Sequence, residues 1–255
     1  MNKLIVVICF CMFIFSCNKK DEPKKRQISY EMKTFRLESP NGCKSDTLPC
    51  AFYEVAYPVF SGLDSSVTNA LQRRIDAAVS MGNPEAEGKS MKEIGGGFIE
   101  DFEDFKNEMK DISMGWHYSA EVAAEVVTDT LLSLSISEEY FTGGAHGGYG
   151  TYFISVRPSD GAEFTLSDFF KAGYEEPVTK IAEGVFRKVR EIPDTASLNE
   201  NMFEFPDDQF QLNDNYGFTK EGVVFYYNSY EIASYAAGPT EVVVPYESLK
   251  GLIKH

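Results

Sequence analysis

WHYSAEVAAEVVTDTLLSLSISEEYF, residues 116–141, decides the architecture. Tyr118, Ala120, Val122, Ala124 and Val126 alternate with more polar neighbours, and Leu132, Leu134 and Ile136 do the same after a turn at Thr128-Asp129-Thr130. A period of two puts the apolar residues on one face of an extended chain, so this stretch reads as two strands joined by a short connection. Tyr152, Ile154 and Val156 repeat the pattern, which makes an antiparallel meander with one covered face. Upstream, Ile28 to Glu38 and Ala51 to Phe60 carry Tyr, Phe and Val in roughly alternating order and read as a further strand pair.

Between the two β regions the period becomes helical. Val67, Leu71, Ile75, Ala78 and Val79 follow an N-terminus set by Asp64, Ser65 and Ser66, and a further helix shows Phe98, Phe102, Phe105 and Met109 on one face. NPEAEG (83–88) and the triplet Gly95-Gly96-Gly97 read as loops. Beyond the meander, Val178, Ile181, Val185 and Val189 mark another helix, and strands close the chain at Gly222 to Asn228 and Thr240 to Pro245 around Gly238-Pro239. The order strand pair, helix pair, meander, helix, strands predicts an α+β fold: antiparallel sheets with helices packed on one face. Two intimately packed subdomains are expected, at 28–112 and 113–255.

The N-terminus concerns address. A single Lys3 precedes an apolar run, Leu4 to Phe15, of the size of a signal-peptide core and shorter than the roughly 20 residues that span a bilayer. Ile14-Phe15-Ser16-Cys17 is similar to a bacterial lipobox, so residues 1–16 are expected to be removed and Cys17 to carry the lipid. The polar, proline-containing stretch after it makes 17–27 a solvated tether. Lys20-Asp21-Glu22 resembles the lysine-plus-acidic export signal of some outer-membrane lipoproteins. The expected location is the cell envelope, as an outer-membrane lipoprotein, periplasmic or surface-exposed, held to the membrane by its N-terminal lipid.

Five cysteines fit this compartment. Cys9 and Cys11 leave with the signal and Cys17 takes the lipid, so Cys43 and Cys50 pair by elimination. A disulfide closing so short a loop in an oxidising compartment stabilises by roughly 2–3 kcal/mol.

The formal charge of −15 argues against nucleic acid and suits a basic partner. Of three histidines, His255 is terminal, leaving His117 and His146 as candidate imidazoles. The sequence holds no H-E-x-x-H, G-x-S-x-G, phosphate-loop or dinucleotide fingerprint, which disfavours the common hydrolase and nucleotide-dependent classes. No metal site and no cofactor is expected. TGGAHGGYG (142–150) is the unusual cluster. Its glycines serve either a tight link between strands or a loop that frees His146 for binding or acid–base work. Gly143, Gly144, His146, Gly147 and Tyr149 are therefore the candidate binding loop.

TGGAHG beside a strand, FTLSDFF (164–170) and GFTKEGVVFYYNSYEIASYAAGPTEVVVPYESL (217–249) together resemble the domain of unknown function that ends the lysozyme-sensing anti-sigma factor RsiV. YEVAYPVFSG (53–62), leading into a helix with Asn69, is similar to the companion domain that precedes the catalytic domain of the deacetylase PdaC. The first resemblance implies an extracellular lysozyme-binding part; no sigma-binding or membrane-spanning counterpart is legible here. PdaC owes its activity to a separate metal-dependent domain whose Asp and His ligands have no counterpart here.

The expectation is a lipid-anchored binding protein for a basic protein such as lysozyme, or for peptidoglycan. Tyr230 and Tyr235, from the aromatic segment that also holds Phe225, Tyr226 and Tyr227, are its candidate binding aromatics, and an enzyme is the less favoured reading. The alternative is a small envelope hydrolase using His146 with Glu138 or Glu139. Replacing Cys17 with Ala should abolish incorporation of labelled palmitate, and continued labelling of the variant would overturn the lipobox reading.

Overall fold

Alternation along the chain builds a five-stranded sheet from β1 (Ser29–Glu38), β2 (Ala51–Ser61), β3 (Trp116–Val127), β4 (Leu132–Phe141) and β5 (Gly148–Val156), in sequence order across the sheet. This computed structural model describes residues 27–43, 49–109 and 113–254. Residues 1–26, which hold the expected signal segment, Cys17 and all but the last residue of the expected tether, lie outside the described residues.

β1 and β2 pair antiparallel, as do β3 with β4 and β4 with β5. β2 and β3 run parallel, from Ala51↔Trp116 to Ala56↔Glu121. A parallel pair needs a crossover, supplied here by α1 (Ser65–Ala78) and α2 (Met91–Glu108). The sheet thus carries strands from both sides of position 112. Both helices contribute to the core on one of its faces, where Leu132, Leu134, Ile136, Tyr53, Val55 and Tyr118 are buried with Leu71, Ile75, Phe98 and Phe102. Each such aliphatic side chain contributes up to about 1.5–3 kcal/mol.

After α3 (Leu166–Phe169), helix α4 (Glu175–Val189) packs on a three-stranded antiparallel sheet. Its strands are β6 (Tyr216–Phe218), β7 (Gly222–Tyr227) and β8 (Thr240–Pro245), followed by α5 (Tyr246–Leu249). Phe186, Phe205, Phe210, Phe225 and Tyr227 form this second core. The two sheets meet where Ser133 Oγ accepts from the Phe218 amide (3.0 Å) and from Ser155 Oγ (3.1 Å), and where Asn215 Nδ2 donates to Thr151 O (2.8 Å). The junction covers one end of the large sheet's other face and leaves the opposite end open.

The antiparallel-dominated α+β architecture is as expected, with three local differences. Gly95-Gly96-Gly97 lies inside α2, which starts early because Ser90 and Glu93 form a reciprocal capping box. The α4 stripe is rotated, burying Val178, Ala182 and Phe186 and leaving Val189 exposed, because those three face the second core. Met109 ends α2 as an exposed, extended residue. Cys43 and Cys50 are joined by a disulfide with Cα atoms 5.4 Å apart, as the cysteine count implied.

The triplet shows why glycine stands in a helix. A Cβ on Gly95 would sit 2.8 Å from Tyr53 Cδ1, whereas one on Gly96 meets open space. Both alanine variants gain the same helix propensity, so Gly95→Ala should be less stable than Gly96→Ala by about 1–3 kcal/mol through overpacking alone. Equal midpoints in urea unfolding would refute the close-approach account.

Candidate functional site

The loop 142–147 leaves β4 and returns into β5 with Gly143 and Gly144 at φ of 98° and 91°. These values favour glycine, so the loop is in part the backbone device its composition suggested. It places His146 on the surface, with Nδ1–H donating to Gly147 O at 2.9 Å. The imidazole stacks on Tyr235, centroids 4.7 Å apart and planes 23° apart. Tyr149 and Tyr230 also lie against Tyr235, at 5.4 and 5.6 Å, and Ser229 Oγ donates to Tyr149 Oη at 3.0 Å. Four aromatic residues from two separated stretches, 146–149 and 230–235, thus gather in one cluster centred on Tyr235.

Tyr230 is 68% exposed and has φ of 73°, a left-handed conformation rare for a tyrosine. Its amide donates to Ala233 O (3.0 Å), and the Glu231 amide donates to Asn228 O (3.2 Å), which closes the turn. Asn228 itself clamps β5, accepting from the Thr151 amide (2.8 Å) and donating to Thr151 O (3.0 Å). The turn bearing Tyr235 is held from below by Arg190 at the end of α4. Its guanidinium donates to Ala237 O, Gly238 O and Pro239 O, each at 3.1 Å, and to Thr240 Oγ1. Phe225 and Tyr227 are core residues, and Tyr226 is half-buried against Phe153.

Beside this cluster the uncovered end of the large sheet forms an open groove of about 490 Å³, lined by Glu54, Ser119, Glu121, Ser137, Glu139 and Tyr149 among others. Alternation along β4 separates the two candidate acids. Glu139 is exposed, whereas Glu138 is 7% exposed and accepts a 2.7 Å hydrogen bond from Tyr118 Oη within the core face. Among the described residues no hydrogen bond or ion pair joins His146 to a carboxylate. None of their His, Cys, Asp and Glu side chains form a group of three suited to a metal ion. No helix among them is long and apolar enough to cross a membrane.

Two features of this region escape the sequence: the stacking of His117 between Phe52 and Phe141, and the supporting part played by Arg190. The stack depends on the parallel β2–β3 register, which strand periodicity does not encode. Arg190, in sequence, is indistinguishable from any other cationic residue near a helix end.

Burial raises the Glu138 carboxyl above its usual range, with the Tyr118 hydrogen bond opposing in part. The folded state therefore holds this proton more tightly than the unfolded chain. Its stabilising contribution is complete below the ordinary glutamate pKa and is lost as pH rises through the elevated one. Glu138→Gln should leave the melting temperature near pH 4 almost unchanged and raise it at about pH 7. A parallel pH–melting profile for the two proteins would exclude this role.

Two family profiles match the chain: "Protein of unknown function (DUF3298)" over residues 167–247 and "Deacetylase PdaC" over residues 44–149. The latter takes in β2, α1, α2, β3 and β4. No curated protein matches. A solved member of the DUF3298 family from Bacteroides fragilis superposes with a TM-score of 0.65 at 23% identity, covering 91% of this chain and 96% of that one. A DUF3298 family protein from Pseudomonas aeruginosa PAO1 gives 0.62 at 20% identity, with 89% and 95% covered. At these identities the likeness concerns the fold. The chain therefore joins a PdaC-like segment to a segment matching the DUF3298 family of unknown function, on a fold similar to that of two solved DUF3298 proteins.

Proposed function

We propose that this is a lipid-anchored binding protein of the cell envelope, held by Cys17 at the outer membrane. Its ligand surface is the aromatic cluster of His146, Tyr149, Tyr230 and Tyr235 with the adjoining open groove. The observation that carries this reading is Tyr230, a large exposed ring kept in a left-handed backbone conformation against the half-buried Tyr235, on which the exposed His146 and Tyr149 also pack. Strain of that kind persists where the surrounding structure holds it, and it concentrates at ligand-contacting positions. Tyrosines supply wide, stiff contact area with a polar tip, which suits recognition of a protein or a glycan. The acidity of the chain favours a basic protein such as lysozyme, and cell-wall glycan is the other ligand of this reading. The arrangement supports binding over hydrolysis, because His146 is engaged with a carbonyl and a ring, and Glu138 belongs to the core face.

The test is a pull-down of the full chain in detergent against lysozyme and against purified peptidoglycan. Retention by one of them is expected. Tyr230→Gly should weaken that retention while leaving stability unchanged or up to about 1 kcal/mol higher, because it relieves the left-handed backbone at the expense of chain entropy. No retention by either ligand, or full retention by the variant, would sink the assignment.

A further inference from the structure

The open face carries a row of rings one strand apart. Phe52 of β2 stacks on His117 of β3, centroids 5.7 Å apart, and His117 stacks on Phe141 of β4 at 6.1 Å. At the β1 end the row is closed by a cation. The Arg36 guanidinium carbon lies 4.2 Å from the Phe52 ring centroid, and its nitrogens pair with Glu38 (2.6 Å) and Glu54 (2.9 Å). At the β5 end the row stops at Phe141. Tyr140 faces Gly148 and Glu139 faces Tyr149, so the next position opposite Phe141 is Gly147. A Cβ on Gly147 would run into the Tyr140 carbonyl, so no side chain of this chain can grow from that place. A groove of about 330 Å³ opens there, bounded by Phe141, Glu139, Tyr149 and Tyr235 among others.

The two ends share a charge pattern. Glu54 and Glu139 lie in one cross-strand row through Ser119. Glu54 holds Arg36, whereas Glu139 is exposed and makes no hydrogen bond or ion pair among the described residues.

We propose that the groove at Phe141 receives an arginine side chain of a basic protein partner, its guanidinium stacked on Phe141 and paired with Glu139 as Arg36 is on Phe52 with Glu54. A planar guanidinium stacks on a ring and pairs with a carboxylate at once, which a lysine ammonium does less well. The net charge of −15 draws such a partner in and repels anionic ligands. The proposal rests on the binding reading above and names the chemistry its ligand must present.

The experiment titrates the full chain in detergent with a hexa-arginine peptide, a hexalysine peptide and chitohexaose at about physiological ionic strength. The arginine peptide should bind about tenfold more tightly than the lysine peptide. Glu139→Gln and Phe141→Leu should each remove that preference, while Glu100→Gln, an equal charge change at an exposed site on α2, should keep it. Circular dichroism checks that the variants fold, and if Phe141→Leu does not, the exposed Glu139 decides. Equal affinity for the two peptides, or a preference that survives Glu139→Gln, would overturn the arginine site. Tight binding of chitohexaose without peptide preference would overturn it too, yet leave the binding function standing. Failure of the chain to retain either lysozyme or peptidoglycan would instead remove the parent reading.

Discussion

The parallel hydrogen-bonding of β2 to β3 is the constraint from which the rest follows. Its register sets Tyr53 beside Tyr118 on the covered face, with rings stacked at 4.7 Å, and Phe52 beside His117 on the open one. The core therefore inherits its central aromatic pair and the surface its ring row from a single alignment of two strands. A slip of one residue would exchange the faces, burying Glu54 and exposing Tyr53. The same pairing requires the long crossover through α1 and α2, whose helices then cover the face that Tyr53 and Tyr118 define.

The aromatic cluster is assembled by backbone more than by side-chain affinity. Two left-handed glycines shape the histidine loop, Asn228 clamps the tyrosine turn to β5, and Arg190 gathers three successive carbonyls under the turn that carries Tyr235. The rings are thus presented by elements anchored in both sheets. Such support lets exposed aromatics keep one geometry at low entropic cost on binding.

Much of the fold is legible in the sequence because period-two and helical patterns report burial directly. The meander, the strand pair beside the cysteines and the helices at 65–78 and 175–189 all show themselves that way. The glycine triplet was not legible, since propensity opposes a helix there while the packing of Gly95 against Tyr53 demands one. Of the candidate site, the loop around His146 and the residues Tyr149, Tyr230 and Tyr235 stand out by composition. That they touch is a matter of tertiary structure, as is the alignment of Phe52, His117 and Phe141 across three strands. Glu138 and Glu139 are adjacent and chemically identical, and only the strand's facing distinguishes a core carboxyl from a surface one.

The Ser133 hydroxyl is fully buried at the seam between the two hydrophobic clusters, where it accepts from the Phe218 amide of the small sheet and from Ser155 of the large one. Opening the seam without melting either sheet would exchange the Phe218–Ser133 hydrogen bond for water, at a net cost of about 0.5–1.5 kcal/mol, and would uncover Val126 and Leu131, which pack into the second core. The two halves are thereby tied into one cooperative unit: heat should melt them in a single calorimetric transition, with neither half persisting as a folded intermediate.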